Sequence, residues 1–202
     1  MRFKVFLPPV LALSLLAAAV PAFSQVVPDY RERGALPLEV GAGFSDFNVD
    51  WGGGRRENGG TITADWTLNH MPRLLQGLGV GIIGRDLVVG APASISYFQY
   101  ETAGGGAIYH FLRPRNFLPY AKGGGGFGRI KFAPGYPPGY NGDTRSFSYM
   151  GGGADFHAWR HFWVRADYEY QIWQHLFGSP HALTPNGFTV GPEYDFGTFR
   201  PR

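Results

Sequence analysis

Between Phe162 and Ile172 the chain alternates without interruption: Phe162, Val164, Ala166, Tyr168, Tyr170 and Ile172 share one parity, and Trp163, Arg165, Asp167, Glu169 and Gln171 the other. A repeat of two is the side-chain period of a β-strand, whereas a helix would spread these charges around its circumference. One face is therefore apolar and the other mostly charged. Length separates the two settings in which such a strand could sit. Eleven residues at ~3.3 Å rise reach ~36 Å, or roughly 28 Å at a tilt of ~40°, close to the ~25 Å apolar band of a membrane-crossing barrel; strands of soluble sheets commonly run half as long.

The alternation recurs. Ile62, Ala64, Trp66 and Leu68 interleave with Thr61, Thr63, Asp65 and Thr67, and Leu38, Val40, Ala42 and Phe44 with Glu39, Gly41, Gly43 and Ser45. Phe188, Val190, Pro192, Tyr194 and Phe196 interleave with Thr189, Gly191, Glu193 and Asp195, and Leu78, Val80 and Ile82 with Gly79 and Gly81. Three further segments, about 96–111, 118–132 and 146–158, are strand-like but carry glycine runs at 104–106, 123–126 and 151–153 that erase the difference between faces. Glycine there suits strands that bend sharply around a narrow lumen. With 31 Gly and 16 Pro in 202 residues, long helices are disfavoured throughout. Five clear segments and three blurred ones predict an all-β fold, an eight-stranded antiparallel up-and-down transmembrane β-barrel.

The connectors agree with that layout. Short turns are expected at 70–76, 112–117 and 160–161, and longer polar loops at 52–60, 86–95, 133–145 and 173–186. Short turns at one end and long loops at the other are what an up-and-down membrane barrel shows, turns on the periplasmic side and loops outside. Aromatic residues gather near strand ends: Trp159, Phe162 and Trp163 against Tyr170 and Trp173, and Tyr97, Phe98 and Tyr100 against Tyr109 and Phe111. This predicts a girdle at each membrane interface. Pro192, inside the last segment, should remove one ladder hydrogen bond.

The first residues supply a cellular address. Arg2 and Lys4 precede an apolar run from Val10 to Val20, and Ala22 and Ser24 flank Phe23 ahead of Gln25. This reads as a cleaved secretory signal over 1–24, followed by a short periplasmic segment over 25–36 and the barrel over 37–199. Without the leader the chain keeps 16 basic and 15 acidic residues. That near-neutral balance, with no cluster of basic residues beyond Arg55 and Arg56, excludes a nucleic-acid partner. The absence of cysteine excludes disulfides, thiol catalysis and thiolate metal sites.

Two matches to Gly-x-Gly-x-x-Gly, at 79–84 and 123–128, do not open helices and carry no nucleotide reading. The six histidines lack helical metal-ligand spacing, so no metal and no cofactor is expected. No residue two positions after any histidine is serine, which leaves the serine-hydrolase arrangement of outer-membrane lipid A deacylases without a match.

The charged parity is the candidate site. Glu39, Asp65, Arg165, Asp167, Glu169, Glu193 and Asp195 follow from clear alternation, and Glu101, Lys122 and Asp155 join them as expected inward residues. An eight-stranded barrel is just wide enough for its side chains to fill, so these groups should form a polar plug. Eight acids against two bases imply protonation, hydration, or matching by Arg129, Lys131 or loop arginines. Arg55, Arg56, Tyr136, Tyr140 and Arg145 are the expected loop contacts to lipopolysaccharide or surface partners.

The signal segment, the stretches 109–128 and 150–170 and the closing run 191–197 together resemble the small outer-membrane β-barrel family, with the OmpA transmembrane domain, OmpX-like proteins and opacity-type barrels. The resemblance implies a non-enzymatic integral protein of the outer membrane of a Gram-negative-type bacterium, with a structural role in envelope integrity. It also implies contact with outer-membrane lipid and lipopolysaccharide, and with the barrel-assembly machinery during biogenesis. Relatives often end on an aromatic, a role left here to Phe196 or Phe199, since the chain runs on to Arg202. A small channel, a lipid A-modifying enzyme on the same barrel, and a soluble lipocalin-like barrel are the alternatives.

Overall fold

The structure, a computed structural model, describes residues 38–50, 56–68, 71–89, 98–111, 116–132 and 142–197. Eight strands follow in chain order: β1 Leu38–Asn48, β2 Arg56–Thr67, β3 Leu78–Val89, β4 Phe98–His110, β5 Phe117–Phe132, β6 Gly142–Trp159, β7 Phe162–Trp173 and β8 Asn186–Asp195. Each pairs antiparallel with the next, and β8 returns to β1, closing the barrel. Closure leaves no edge strand with unpaired backbone groups, a condition for crossing lipid. The proposed signal segment and residues 25–37 lie outside the described residues.

The alternation translates directly into two faces. On β7, Trp163, Arg165, Asp167, Glu169, Gln171 and Trp173 are buried in the lumen, while Phe162, Val164 and Tyr168 are exposed on the outer wall. The same inversion holds on β1, β2 and β8, where Phe44, Ile62 and Val190 face out and Glu39, Asp65 and Glu193 face in. Among the described strand residues, outward charges occur only near the loop end: Asp46, Arg56, Asp86, Glu101, Arg129 and Lys131. Below that rung the outer wall is apolar or small, so lipid meets no charge.

Three loops are shorter than the composition suggested. β3 runs on through Arg85 and Asp86 to Val89, and β2 begins at Arg56, so both strands enter stretches read from sequence as loop. β6 likewise begins at Gly142 rather than near 146. Glycine and charge were the loop signals, but neighbouring strands continue the ladder and hydrogen-bond the backbone there. Pro192 does interrupt pairing: the β1–β8 register is continuous except at Ala42 and Gly43, opposite Pro192 and Gly191.

The aromatic expectation is half corrected. Trp163, Trp173, Phe98 and Tyr100 are buried in the lumen, and so belong to no girdle; Trp163 and Trp173 share the parity of Arg165. Trp173 stacks on Phe147 at 5.5 Å between ring centroids and lies 5.1 Å from Tyr100, with Phe47, Leu87 and Ile130 completing an apolar plug in the loop-end half. Leu176, in the loop after β7, caps it and is 2% exposed. Room for the indole comes from Gly128, where a Cβ would stand 1.9 Å from Trp173 Cη2. At the turn end, Phe117, Phe156, Trp159, Phe162 and Phe196 are exposed and form the outward aromatic rim.

Candidate functional site

The turn-end half of the lumen is organised around Arg165. Its Nε donates to Asp155 Oδ1 at 2.8 Å and its Nη2 to Asp155 Oδ2 at 3.1 Å, a bidentate contact across β6 and β7. The same guanidinium donates to Asp65 on β2, and its Nη2 lies 2.8 Å from Glu193 Oε1 on β8 and 3.9 Å from Glu39 Oε2 on β1. One side chain thus ties five strands together, which a planar fork with five donors can do and a lysine cannot. Tyr120 lies under the guanidinium, its ring centroid 4.8 Å from the central carbon. His110 Nε2 is 3.3 Å from Asp155 Oδ2.

A second set sits one layer toward the loops. Lys122 Nζ is 3.2 Å from Asp167 Oδ1 and 2.8 Å from Glu169 Oε2. Arg85 Nη1 donates to Glu169 Oε1 at 3.0 Å and its Nε to Thr61 Oγ1 at 3.1 Å. Gln171 Nε2 donates to Glu169 Oε1 at 2.7 Å, and Gln171 Oε1 accepts from Trp173 Nε1 at 2.7 Å and from the Tyr100 hydroxyl. This chain hands over from charge to amide to indole, and so joins the polar network to the apolar plug.

Of the residues expected inside, Glu39, Asp65, Lys122, Asp155, Arg165, Asp167, Glu169 and Glu193 lie in the lumen and are joined by these contacts. Asp195 has the inward parity at the turn-end rim, where its Oδ1 accepts from Gly197 N. Glu101 is a correction: Tyr100 and Thr102 point inward on β4, so Glu101 points out and pairs with Lys131 at 2.6 Å. Lys131 is therefore spent on the outer wall, and Arg129 is exposed there as well, so neither matches the lumen acids.

The matching base is Arg85, whose side chain is fully buried. Carrying the Gly79 and Gly81 parity two steps further reaches Ile83 and then Arg85, but Gly84-Arg85-Asp86 has the composition of a turn. Glu57, buried in the lumen beside Phe47, and His110 were missed for related reasons: Glu57 falls in the stretch read as loop, and His110 lies beyond the glycine run of β4.

Two groups of three, Glu39 with His110 and Asp155, and Glu39 with Asp65 and Glu193, bring donor atoms within 4.8 Å of one another. The Arg165 guanidinium already holds Asp65, Asp155 and Glu193, supplying the positive charge that a cation would bring. Of the expected loop contacts, Arg55, Tyr136 and Tyr140 lie outside the described residues. Arg56 grips Asp46 through Nε at 2.8 Å on the outer wall, and Arg145 Nε donates to Asp143 Oδ2 at 2.9 Å at the barrel mouth.

A search of curated proteins finds no match to this sequence. Among solved structures, the chain is similar to Neisserial surface protein A, with a TM-score of 0.65 at 16% identity over 81% of this chain and 100% of that one. It is also similar to Ail, the attachment invasion locus protein of Yersinia pestis, with a TM-score of 0.53 at 18% identity over 79% of this chain and 96% of that one. At such identities the likeness is one of fold. The model of the outer membrane protein beta-barrel domain matches residues 10–196. A closed eight-stranded barrel, charged within and apolar without, matched by that model over nearly its whole length, belongs to the outer membrane protein β-barrel domain family.

Proposed function

We propose that this protein works as a structural barrel of the outer membrane, contributing to envelope integrity, without catalytic activity, and presenting its loops to external partners. It would be exported behind a leader cleaved after residue 24 and folded by the barrel-assembly machinery of a Gram-negative-type bacterium. The single observation that carries this reading is the inverted distribution of polarity. Buried carboxylates and guanidinium groups fill the lumen, while Phe44, Ile62, Ile82, Phe127 and Val190 are left exposed on the wall. In water that wall would be a continuous sticky patch, whereas in lipid it is the solvated surface. The outward polar rung near the loop end, with Arg56, Arg129 and Lys131 among its members, stands at headgroup level, where lipopolysaccharide is the expected neighbour.

Fractionation with heat-dependent gel mobility tests the reading. The chain should be found in the outer-membrane fraction, migrate faster unheated than boiled, and begin at Gln25. Recovery in the soluble fraction with no mobility shift would overturn it. A deletion strain should in addition admit large hydrophilic antibiotics and detergents more readily than its parent.

A further inference from the structure

The outward charges do not cancel evenly around the wall. Arg56 grips Asp46 and Lys131 grips Glu101, which leaves two outward charges with no opposite charge bound to them among the described residues: Asp86, hydrogen-bonded only to the neutral Gln99 amide at 2.8 Å, and Arg129. The two stand on one rung. Asp86 on β3 is the register partner of Glu101 on β4, and Glu101 is the partner of Arg129 on β5. A negative and a positive charge therefore flank β4 symmetrically, each one strand away, about 5 Å to either side.

We propose that this face, centred on β4, is the contact surface for a second copy of the same chain within the membrane. A two-fold axis along the bilayer normal through β4 places the Asp86 side of one copy against the Arg129 side of the other, twice, so the arrangement is self-complementary. The charges lie at the edge of the apolar band, where an ion pair between two wall-borne side chains is only partly hydrated and is worth more than in bulk water. The wall beneath them permits the approach. Upright barrels with strands tilted ~40° bring their β4 strands together at a crossing of about 80°, so contact is confined to the crossing point. There, with the two-fold passing beside Ala103, the outward residues are Ala103 on β4 and Gly84 on β3, which let two backbones approach closely, and the exposed Phe127 of β5 packs beside the crossing.

This inference rests on the outer-membrane reading, and its test separates the two. The chain has no cysteine, so single cysteines report position cleanly. In intact outer membranes, Ala103→Cys should form a disulfide dimer under mild oxidation, while Phe44→Cys, on the wall of β1, should not. Arg129→Asp, added to Ala103→Cys, should lower dimer yield at least fivefold, as should Asp86→Arg, and the double exchange Asp86→Arg with Arg129→Asp should restore it. A membrane-inserted, heat-modifiable barrel that gives no Ala103→Cys dimer, or equal dimer from both cysteines, would overturn the dimer alone. So would charge variants that all crosslink as the parent does, or a double exchange that fails to restore yield, the outcome expected if Arg129 instead serves a lipid phosphate. Absence from the membrane would overturn the underlying reading.

Discussion

At the scale of single residues, the interior is decided by which charge has the most partners. Arg165 meets carboxylates from β1, β2, β6 and β8, so its loss strands several buried negative charges at once. Arg165→Met should destabilise the folded barrel by about 3–5 kcal/mol, read as a lower urea midpoint of refolded protein, and Arg165→Lys should recover little, because a point charge cannot reach four strands. Gly128 is the second such position. A methyl group there collides with the Trp173 ring, so Gly128→Ala should cost about 1–3 kcal/mol and shift tryptophan emission, and the same change should cost less in a Trp173→Phe background. Legibility at this scale followed parity. Arg165, Asp167 and Glu169 were readable because their strand alternates without a break. Glu101 was misplaced because the glycine run at 104–106 hides the parity of β4, and Arg85 was overlooked because its neighbours have the composition of a turn.

Individual strands explain why so much glycine is tolerated. On β5, Gly124 and Gly123 are adjacent but not equivalent. An inward Cβ at Gly124 would stand 2.3 Å from the Gly105 carbonyl oxygen and 2.7 Å from Gly106 Cα, whereas an outward one at Gly123 meets nothing closer than Tyr149 O at 3.5 Å. The backbone of β4 is so near on the concave side that no side chain fits, and backbone cannot step aside as a rotamer can. Gly124→Ala should therefore sharply reduce the yield of the fast-migrating folded form, while Gly123→Ala should fold as the parent does. The sequence signal was the run of glycines itself, read as curvature. Which of the four residues at 123–126 is indispensable depends on how closely β4 and β5 wrap, and that is a property of the closed wall.

For the whole molecule, the lumen is divided between a charged half at the turn end and a mainly apolar half at the loop end, where Glu57 is the buried acid beside Phe47, with Gln171 as the junction. The stacked Trp173 and Phe147 and the cap of Leu176 fill the loop-end half. Refolded protein in a planar bilayer should therefore show no steady conductance, and Trp173→Ala combined with Phe147→Ala should open a measurable leak; steady currents from the parent would contradict the plug. The amino-acid sequence by itself determined the strand count, the barrel class and the inversion of polarity, because a period of two maps one-to-one onto the two faces of a strand and needs no knowledge of its neighbours. Only the tertiary structure decided which charges meet, that aromatics from four strands converge into a plug instead of a girdle, and which outward charges remain unmatched. Those depend on register and on the shear of a closed wall, which set residues far apart in the chain, such as Arg165 and Asp65, side by side.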